Sequence, residues 1–427
     1  MLFTTETFVQ RRQKLIELVK QTHNTDQGAI LLLAGLEHDR VRFRQESSFY
    51  YFTGITEPGV ALLLDLSGHG TLFVPQFVTP RSVWVKTSLS IAQETATTLG
   101  LQAVEHLGTP CEGYQLYPFF TPQGHERLLA ALKTYESKKA SIFTLNPPTS
   151  YGYVEQRWML QRLTFFMPSM AQLVKDVSSQ VAQLRRKKDR QEIEALYKAI
   201  DITMLAQEGA AQVIAPGKHE YQVQAALEYV MREAGADGQS FPSIVGSGKH
   251  STILHYNENN GTLNSGDLVV VDIGAEWSMY CADLTRTYPV SGTFTPRQKE
   301  IYNLVLDTQQ YIAQLAKPGL WLSNAQHPDQ SLNHLAREFL KKEGYDKYFP
   351  HGLGHFLGLD VHDVGSPLEP LAPGDVITIE PGIYLPEENL GVRIEDNYWI
   401  VDDGVVCLSE HLPNSVDDIE GFMRKAE

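Results

Sequence analysis

Residues 1–172 predict an α/β domain, and residues 173–427 predict an α+β domain built from a duplicated α-α-β unit. Three observations lead there. One strand signature occurs twice in the C-terminal part: Gly266-Asp267-Leu268-Val269-Val270-Val271-Asp272-Ile273-Gly274 and Gly374-Asp375-Val376-Ile377-Thr378-Ile379-Glu380-Pro381-Gly382, 108 residues apart from Gly266 to Gly374. Two helical stretches precede each copy. The N-terminal part alternates apolar strand runs with helical segments and holds no cluster of ligand-type residues.

In the N-terminal part, residues 6–20 place Phe8, Leu15, Leu18 and Val19 on one side of an amphipathic helix. Ala29–Gly35 reads as a buried strand and Phe49–Gly54 as an aromatic segment. Val60–Leu66 and Thr71–Val74 flank Ser67-Gly68-His69-Gly70, a hairpin signature. Residues 126–135 are helical, and the domain ends near residue 170. With no chemistry of its own, this part is assigned to scaffolding or oligomerisation.

The run Arg185-Arg186-Lys187-Lys188 reads as a solvated helix face. A nucleic-acid surface is not expected, because 51 acidic against 36 basic residues give a net charge of −15. A helix over 189–213 repeats Ile193, Leu196, Tyr197, Ile200 and Met204 at helical spacing and stops at Pro216-Gly217; a second covers 220–234. In the second half, Thr295-Pro296-Arg297-Gln298 is a capping box with proline at the first helical position. That helix runs to Pro318-Gly319, and another over 331–343 stops at Gly344.

Chemistry enters at the strand ends. The run Leu268–Val271 is a buried strand by composition, and it ends in Asp272. Asp283 follows eleven positions later, after Gly274 and a polar turn. Two carboxylates leaving a hydrophobic sheet repel unless a cation or protons lie between them. Taken alone, the pair is equally a capping Asp and an ion-paired Asp. The second copy changes that reading, because Glu380 is followed by Glu395 and each copy is preceded by a histidine, His255 before Asp272 and His362 before Glu380. Four carboxylates converging on a pseudo-twofold axis call for metal.

The segment His351-Gly352-Leu353-Gly354-His355-Phe356-Leu357-Gly358-Leu359-Asp360-Val361-His362-Asp363 adds three histidines. Its glycines disfavour a helix, and no glutamate follows His351, so the His-Glu-x-x-His zinc motif is absent. An extended segment presenting histidines to a site is the expectation. The three cysteines, Cys111, Cys281 and Cys407, form neither a disulfide framework nor a CxxC pair. There is no signal-peptide pattern and no apolar run of the ~20 residues a membrane helix needs. A cytoplasmic protein with no membrane partner is expected.

The segments around His255, Val271–Gly274, Ala282–Thr287, His351–His355, Val361–Asp363, Ile379–Tyr384 and Gly391–Asp396 resemble the proline-specific "pita-bread" metallopeptidases, aminopeptidase P and prolidase. Phe43–Ser47, Thr53–Pro58 and the Trp84 segment resemble the creatinase-like N-terminal domain of the same enzymes. The resemblance implies a dinuclear site. Asp272 would bind one metal, His355 and Glu380 the other, and Asp283 and Glu395 would bridge them. This oxygen-rich set suits Mn²⁺, with Co²⁺ or Zn²⁺ as alternatives.

The resemblance also implies roles. Glu380 would carry a proton from the attacking water to the leaving nitrogen, and His255 and His362 would hydrogen-bond the substrate carbonyl. His351 would stand at the proline pocket, with Tyr384 and Arg393 supporting. Trp84 would reach the active site of a neighbouring subunit in a homodimer or homotetramer. The expected activity is release of the first residue from peptides with proline second. The alternative is an Xaa-Pro dipeptidase, and more distantly a non-catalytic binding protein of the same fold, such as a histone-chaperone subunit. Creatinase lacks the metal ligands, and methionine aminopeptidase lacks this N-terminal domain. A dipeptidase must hold a free carboxylate, and residues 363–374 contain no arginine or lysine to do so.

Overall fold

The computed structural model describes residues 2–38, 40–113, 120–147, 153–366 and 368–424. It divides into two compact units, Met1–Arg185 and Arg186–Glu427. Among the described residues no helix is long and apolar enough to cross a membrane.

The first unit opens with α1 (Thr5–His23), capped by Thr4 and buried through Leu15, Ile16 and Val19. Then come β1 (Gly28–Leu33), α2 (Ser47–Thr53), β2 (Ala61–Asp65), β3 (Gly70–Val74), α3 (Gln93–Thr98) and β4 (Ala103–His106). The aromatic segment is helical, because the Glu46 carboxylate accepts from the backbone N–H groups of Ser48 and Phe49 and starts α2. The unit continues with α4 (Glu126–Ser137), β5 (Ser141–Thr144), α5 (Val154–Phe166), β6 (Val174–Asp176) and α6 (Ser178–Arg186). Its mixed sheet has the order β4-β3-β2-β1-β5-β6. The β2–β3 hairpin is antiparallel as its turn residues predict. β6 still pairs with β5, so the strands of this unit run past residue 172.

The second unit begins with α7 (Arg190–Val213) and α8 (Glu220–Glu233), then β7 (Gly238–Gln239), β8 (Ile244–Ser247), β9 (Leu268–Ile273), β10 (Ala275–Trp277), β11 (Tyr280–Cys281) and β12 (Leu284–Pro289). The second half repeats the plan with α9 (Pro296–Leu315), α10 (Leu332–Lys342), β13 (Val376–Ile379), β14 (Gly382–Leu385), β15 (Leu390–Arg393), β16 (Asp396–Val401) and β17 (Gly404–Cys407), and α11 (Val416–Arg424) closes the chain. Thr295 and Gln298 form the expected capping box at α9. One core holds both halves, joining Ile202, Leu227, Val271, Ile301, Ile379 and Ile394.

Two expectations fail here. Tyr197 is 37 % exposed, because α7 buries Ala195, Leu196 and Ala199 beside it instead. The basic run is not a solvated face, since Arg185, Arg186 and Lys188 are all buried. Within the second unit, Arg186 donates to Asp375 Oδ1 and Oδ2 at 2.8 and 2.6 Å, and Lys188 Nζ lies 2.9 Å from Asp363 Oδ2. Burial of these cations depends on carboxylates more than 170 residues further along the chain.

Candidate metal centre

Strand pairing places the acids. In the antiparallel β9–β12 ladder Asp272 faces Thr285, and Leu284 faces Ile273, which sets Asp283 just before β12. Gly274 permits the tight return, since a Cβ there would sit 1.8 Å from the Ala282 carbonyl oxygen. In the second half β13 pairs with β16, Ile379 opposite Asp396, leaving Glu380 at the end of one strand and Glu395 just before the other. The halves then meet. Glu395 N–H donates to the Thr285 carbonyl at 3.1 Å, and Thr285 Oγ1 donates to Glu395 Oε2 at 2.7 Å.

His355 comes from the glycine-rich segment, which is not helical, as expected, but is extended only over 353–357 and bends through 358–362. It runs beside β13, with Phe356 bridged to Ile377 and Thr378 N–H donating to the His355 carbonyl at 2.9 Å. Gly354 is required, because a Cβ there would lie 2.1 Å from the Thr378 carbonyl oxygen. His355 Nδ1 is 3.1 Å from the Phe356 carbonyl, which can only accept. Nδ1 therefore carries the hydrogen, and Nε2 presents its lone pair at 3.4 Å to both Asp283 Oδ2 and Glu380 Oε1.

Asp283, His355 and Glu395 each offer a ligand atom, all within 4.8 Å of one another. Asp272 Oδ1, Asp283 Oδ1 and Glu395 Oε1 are buried with no hydrogen-bond partner. Unsatisfied buried acceptors cost about 1–3 kcal/mol each, more when charged. Burial, reinforced by Asp272 and Glu380, pushes the Asp283 carboxyl well above the usual range. Burial with Asp283, Glu380 and Asp272 nearby does the same to Glu395, and burial raises Glu380. Orphaned oxygens converging with an imidazole lone pair fit divalent cations.

Around this centre, His255, His351, His362, Asp272, His355, Glu380 and Arg393 line one cavity of about 250 Å³. The rings of His355 and His362 lie 4.2 Å apart. His255 and His362 are exposed, while His351 is half-buried. Burial and the adjacent Arg393 push His351 down to about 4. Burial, with His355 and His255 close by, also lowers His362. His351 Nε2 is 2.9 Å from Tyr384 Oη, which accepts from Arg393 Nη1 at 2.8 Å. Burial carries the Tyr384 phenol up to about 12. Trp84 lies in the first unit, 58 % exposed.

Sequence reasoning missed Thr285 and Thr378. Thr378 Oγ1 accepts from His355 N–H and donates to Glu380 Oε1, both at 3.1 Å. For Thr378 the available signal was a hydroxyl in the otherwise apolar strand Val376–Ile379.

The description "Metallopeptidase family M24" matches residues 194–402, and "Aminopeptidase P, N-terminal domain" matches residues 8–109. The chain is similar to the Xaa-Pro aminopeptidase of Haemophilus influenzae, 32 % identical over 98 % of this chain and 97 % of that one. It is 31 % identical to an Xaa-Pro dipeptidase of Pyrococcus furiosus, over 87 % and 93 %. Among solved structures, aminopeptidase P from Escherichia coli with the inhibitor Pro-Leu superposes with a TM-score of 0.81 at 28 % identity, covering 99 % of each chain. The creatinase-like first domain and the pita-bread second domain stand as the sequence predicts.

Proposed function

The chain belongs to metallopeptidase family M24, and from that premise we propose that it is an Xaa-Pro aminopeptidase, releasing the first residue of peptides with proline second. One observation carries this reading: Asp283, His355 and Glu395 gather ligand atoms within 4.8 Å, with unpartnered buried oxygens on Asp272, Asp283 and Glu395, beside a cavity walled by three further histidines.

Asp272, Asp283, His355, Glu380 and Glu395 would hold two divalent ions, Mn²⁺ by preference. Four carboxylates against the one guanidinium of Arg393 leave three negative charges, more than a single divalent ion neutralises. When bound, such ions lower the pKa of water and polarise a carbonyl. Glu380 Oε1 is engaged with Thr378, whereas Oε2 lies 4.0 Å from His351 Nδ1. Glu380 Oε2 would take a proton from the attacking water as its oxygen bonds the carbonyl carbon. It would then return that proton to the proline nitrogen as the C–N bond breaks. His255 and His362, both exposed on the cavity wall, would donate to the carbonyl oxygen. Tyr384 and Arg393 would hold His351 at the proline ring.

The dipeptidase reading needs a clamp for a free carboxylate. In residues 363–374 only Asp363 and Glu369 are charged, and Glu369 is neutralised by Arg186 at 2.5 Å. Arg186 is itself held by Asp375 and the Pro370 carbonyl. Neither residue is left to bind substrate. With Mn²⁺ supplied, Xaa-Pro-Xaa tripeptides are expected to be cleaved with higher kcat/KM than Xaa-Pro dipeptides. Preference for dipeptides would transfer the assignment to prolidase.

Cytoplasmic residence is proposed because Cys111, Cys281 and Cys407 form no disulfide among the described residues. Recovery of the protein in an oxidising compartment would exclude it.

A further inference from the structure

The geometry points to Gln207 and Gln309 as paired positioning residues that brace the ligand-bearing strands, one in each half of the duplicated domain. Gln207 projects from α7 and is fully buried. Its Nε2 donates to the Val271 carbonyl at 3.1 Å and the Leu284 carbonyl at 2.9 Å. Val271 immediately precedes Asp272, and Leu284 immediately follows Asp283. Gln309 projects from α9, 1 % exposed. Its Nε2 reaches the Ile379 carbonyl at 3.0 Å and the Ile394 carbonyl at 3.3 Å. Those two residues immediately precede Glu380 and Glu395. In each half, one side-chain amide therefore joins the two strand segments one residue away from both acids.

The need for such a brace follows from the backbone. The pairing of β9 with β12 stops at Ile273–Leu284 and that of β13 with β16 at Ile379–Asp396, so each ligand-bearing segment sits at the margin of its ladder. An amide NH₂ supplies two donors on a single nitrogen, and no other neutral side chain does so. A helix-borne glutamine can thus tie two strands at a fixed separation without adding charge beside four carboxylates. The remaining contacts differ between halves. Gln207 Oε1 accepts from Tyr288 Oη at 3.0 Å, whereas the two Gln309 Nε2 hydrogens are shared with a third acceptor, Asp396 Oδ2 at 3.1 Å. The common element is the pair of ligand-flanking carbonyls. This deepens the metallopeptidase reading and rests on it for the identity of the ligands.

Gln207→Met and Gln309→Met conserve side-chain volume and remove both donors. Hydrogen exchange on metal-free protein reads the brace without metal. Gln207→Met is expected to speed exchange in residues 270–274 and 283–286 and to leave 378–381 and 393–396 as in the parent; Gln309→Met should do the reverse. On the same folded proteins, Mn²⁺ titration should show affinity weakened at least about tenfold, the range found when outer-sphere partners of metal ligands are lost. Gln207→Leu and Gln309→Leu, which remove the donors without placing a charge beside the carboxylates, serve if a Met variant does not fold. Uniform acceleration across both halves, or Mn²⁺ affinity within twofold of the parent, would overturn the assignment, as would loss of the fold in all four variants. A parent that binds no divalent ion would instead overturn the functional reading, and the exchange pattern would still decide the brace.

Discussion

Arg393 Nη2 donates to Asp272 Oδ2 at 2.7 Å, joining the second half of the catalytic domain to the first. Its Nε reaches Thr285 Oγ1 at 3.2 Å and its Nη1 reaches Tyr384 Oη at 2.8 Å. One guanidinium thus ties an expected metal ligand to the residue that orients His351. Burial opposes its charge, yet Tyr384 and Asp272 hold the guanidinium firmly cationic. Removing one member of a buried ion pair costs about 3–5 kcal/mol. Arg393→Met is expected to lose about 3 kcal/mol in urea unfolding of metal-free protein. Arg393→Lys should recover only part, because an ammonium cannot reproduce the fork. A Met variant within about 1 kcal/mol of the parent would show that the pair is not coupled to the fold.

Glu380→Gln is expected to remain folded and to lose turnover by at least about two orders of magnitude, the usual scale for a lost proton-transfer group. Elemental analysis of the parent should find about two divalent ions per chain, the number the dinuclear reading requires. Chelation should lower Tm, because ligand binding stabilises the native state by mass action. Near-normal turnover in a metal-loaded Gln variant would remove Glu380 from proton transfer.

Trp84 is 58 % exposed and lies in a segment that also exposes Val78, Val83 and Ile91. Large apolar side chains gathered at a surface mark an interaction site, and the proposed occupant is another copy of this chain. Light scattering is expected to give a dimer or tetramer, and Trp84→Glu should shift it toward smaller species and lower activity. A fully active monomer would refute the assembly.

His125 supplies a pH dependence within the first unit. It is 4 % exposed and packs on Phe120, with ring centroids 4.1 Å apart. Burial, partly offset by the Thr121 carbonyl, takes its pKa from the ordinary 6.5 down to about 4. The unfolded chain therefore binds this proton before the native one does. Stability is fully present above pH 6.5 and falls as the pH drops from 6.5 toward 4, with about 2 kcal/mol lost by pH 5. Comparing urea midpoints at pH 7 and 5 reads this loss, and His125→Gln should reduce the difference. An unchanged difference in that variant would assign the acid sensitivity elsewhere.

Local sequence determined the helix caps, the apolar strands and the acids at their ends, because each depends on residues within one or two turns of chain. The capping box at Thr295, the hairpin at Ser67–Gly70 and the strand-end positions of Asp272 and Glu380 were all legible in this way. The duplication showed that the acids come in matched pairs. Only the tertiary structure decided which charges are buried and what compensates them. Arg186 and Lys188 read as solvent-facing until folding brings Asp375 and Asp363 to them, and Glu369 reads as a repelling charge until Arg186 neutralises it. The braces from Gln207 and Gln309 were equally hidden, since a glutamine in a helix gives no local sign of the strands it will join. Propensity and periodicity act over a few residues. Desolvation of a charge or an amide is compensated only by a partner at hydrogen-bond distance, and in this chain those partners lie 64 to 189 residues away.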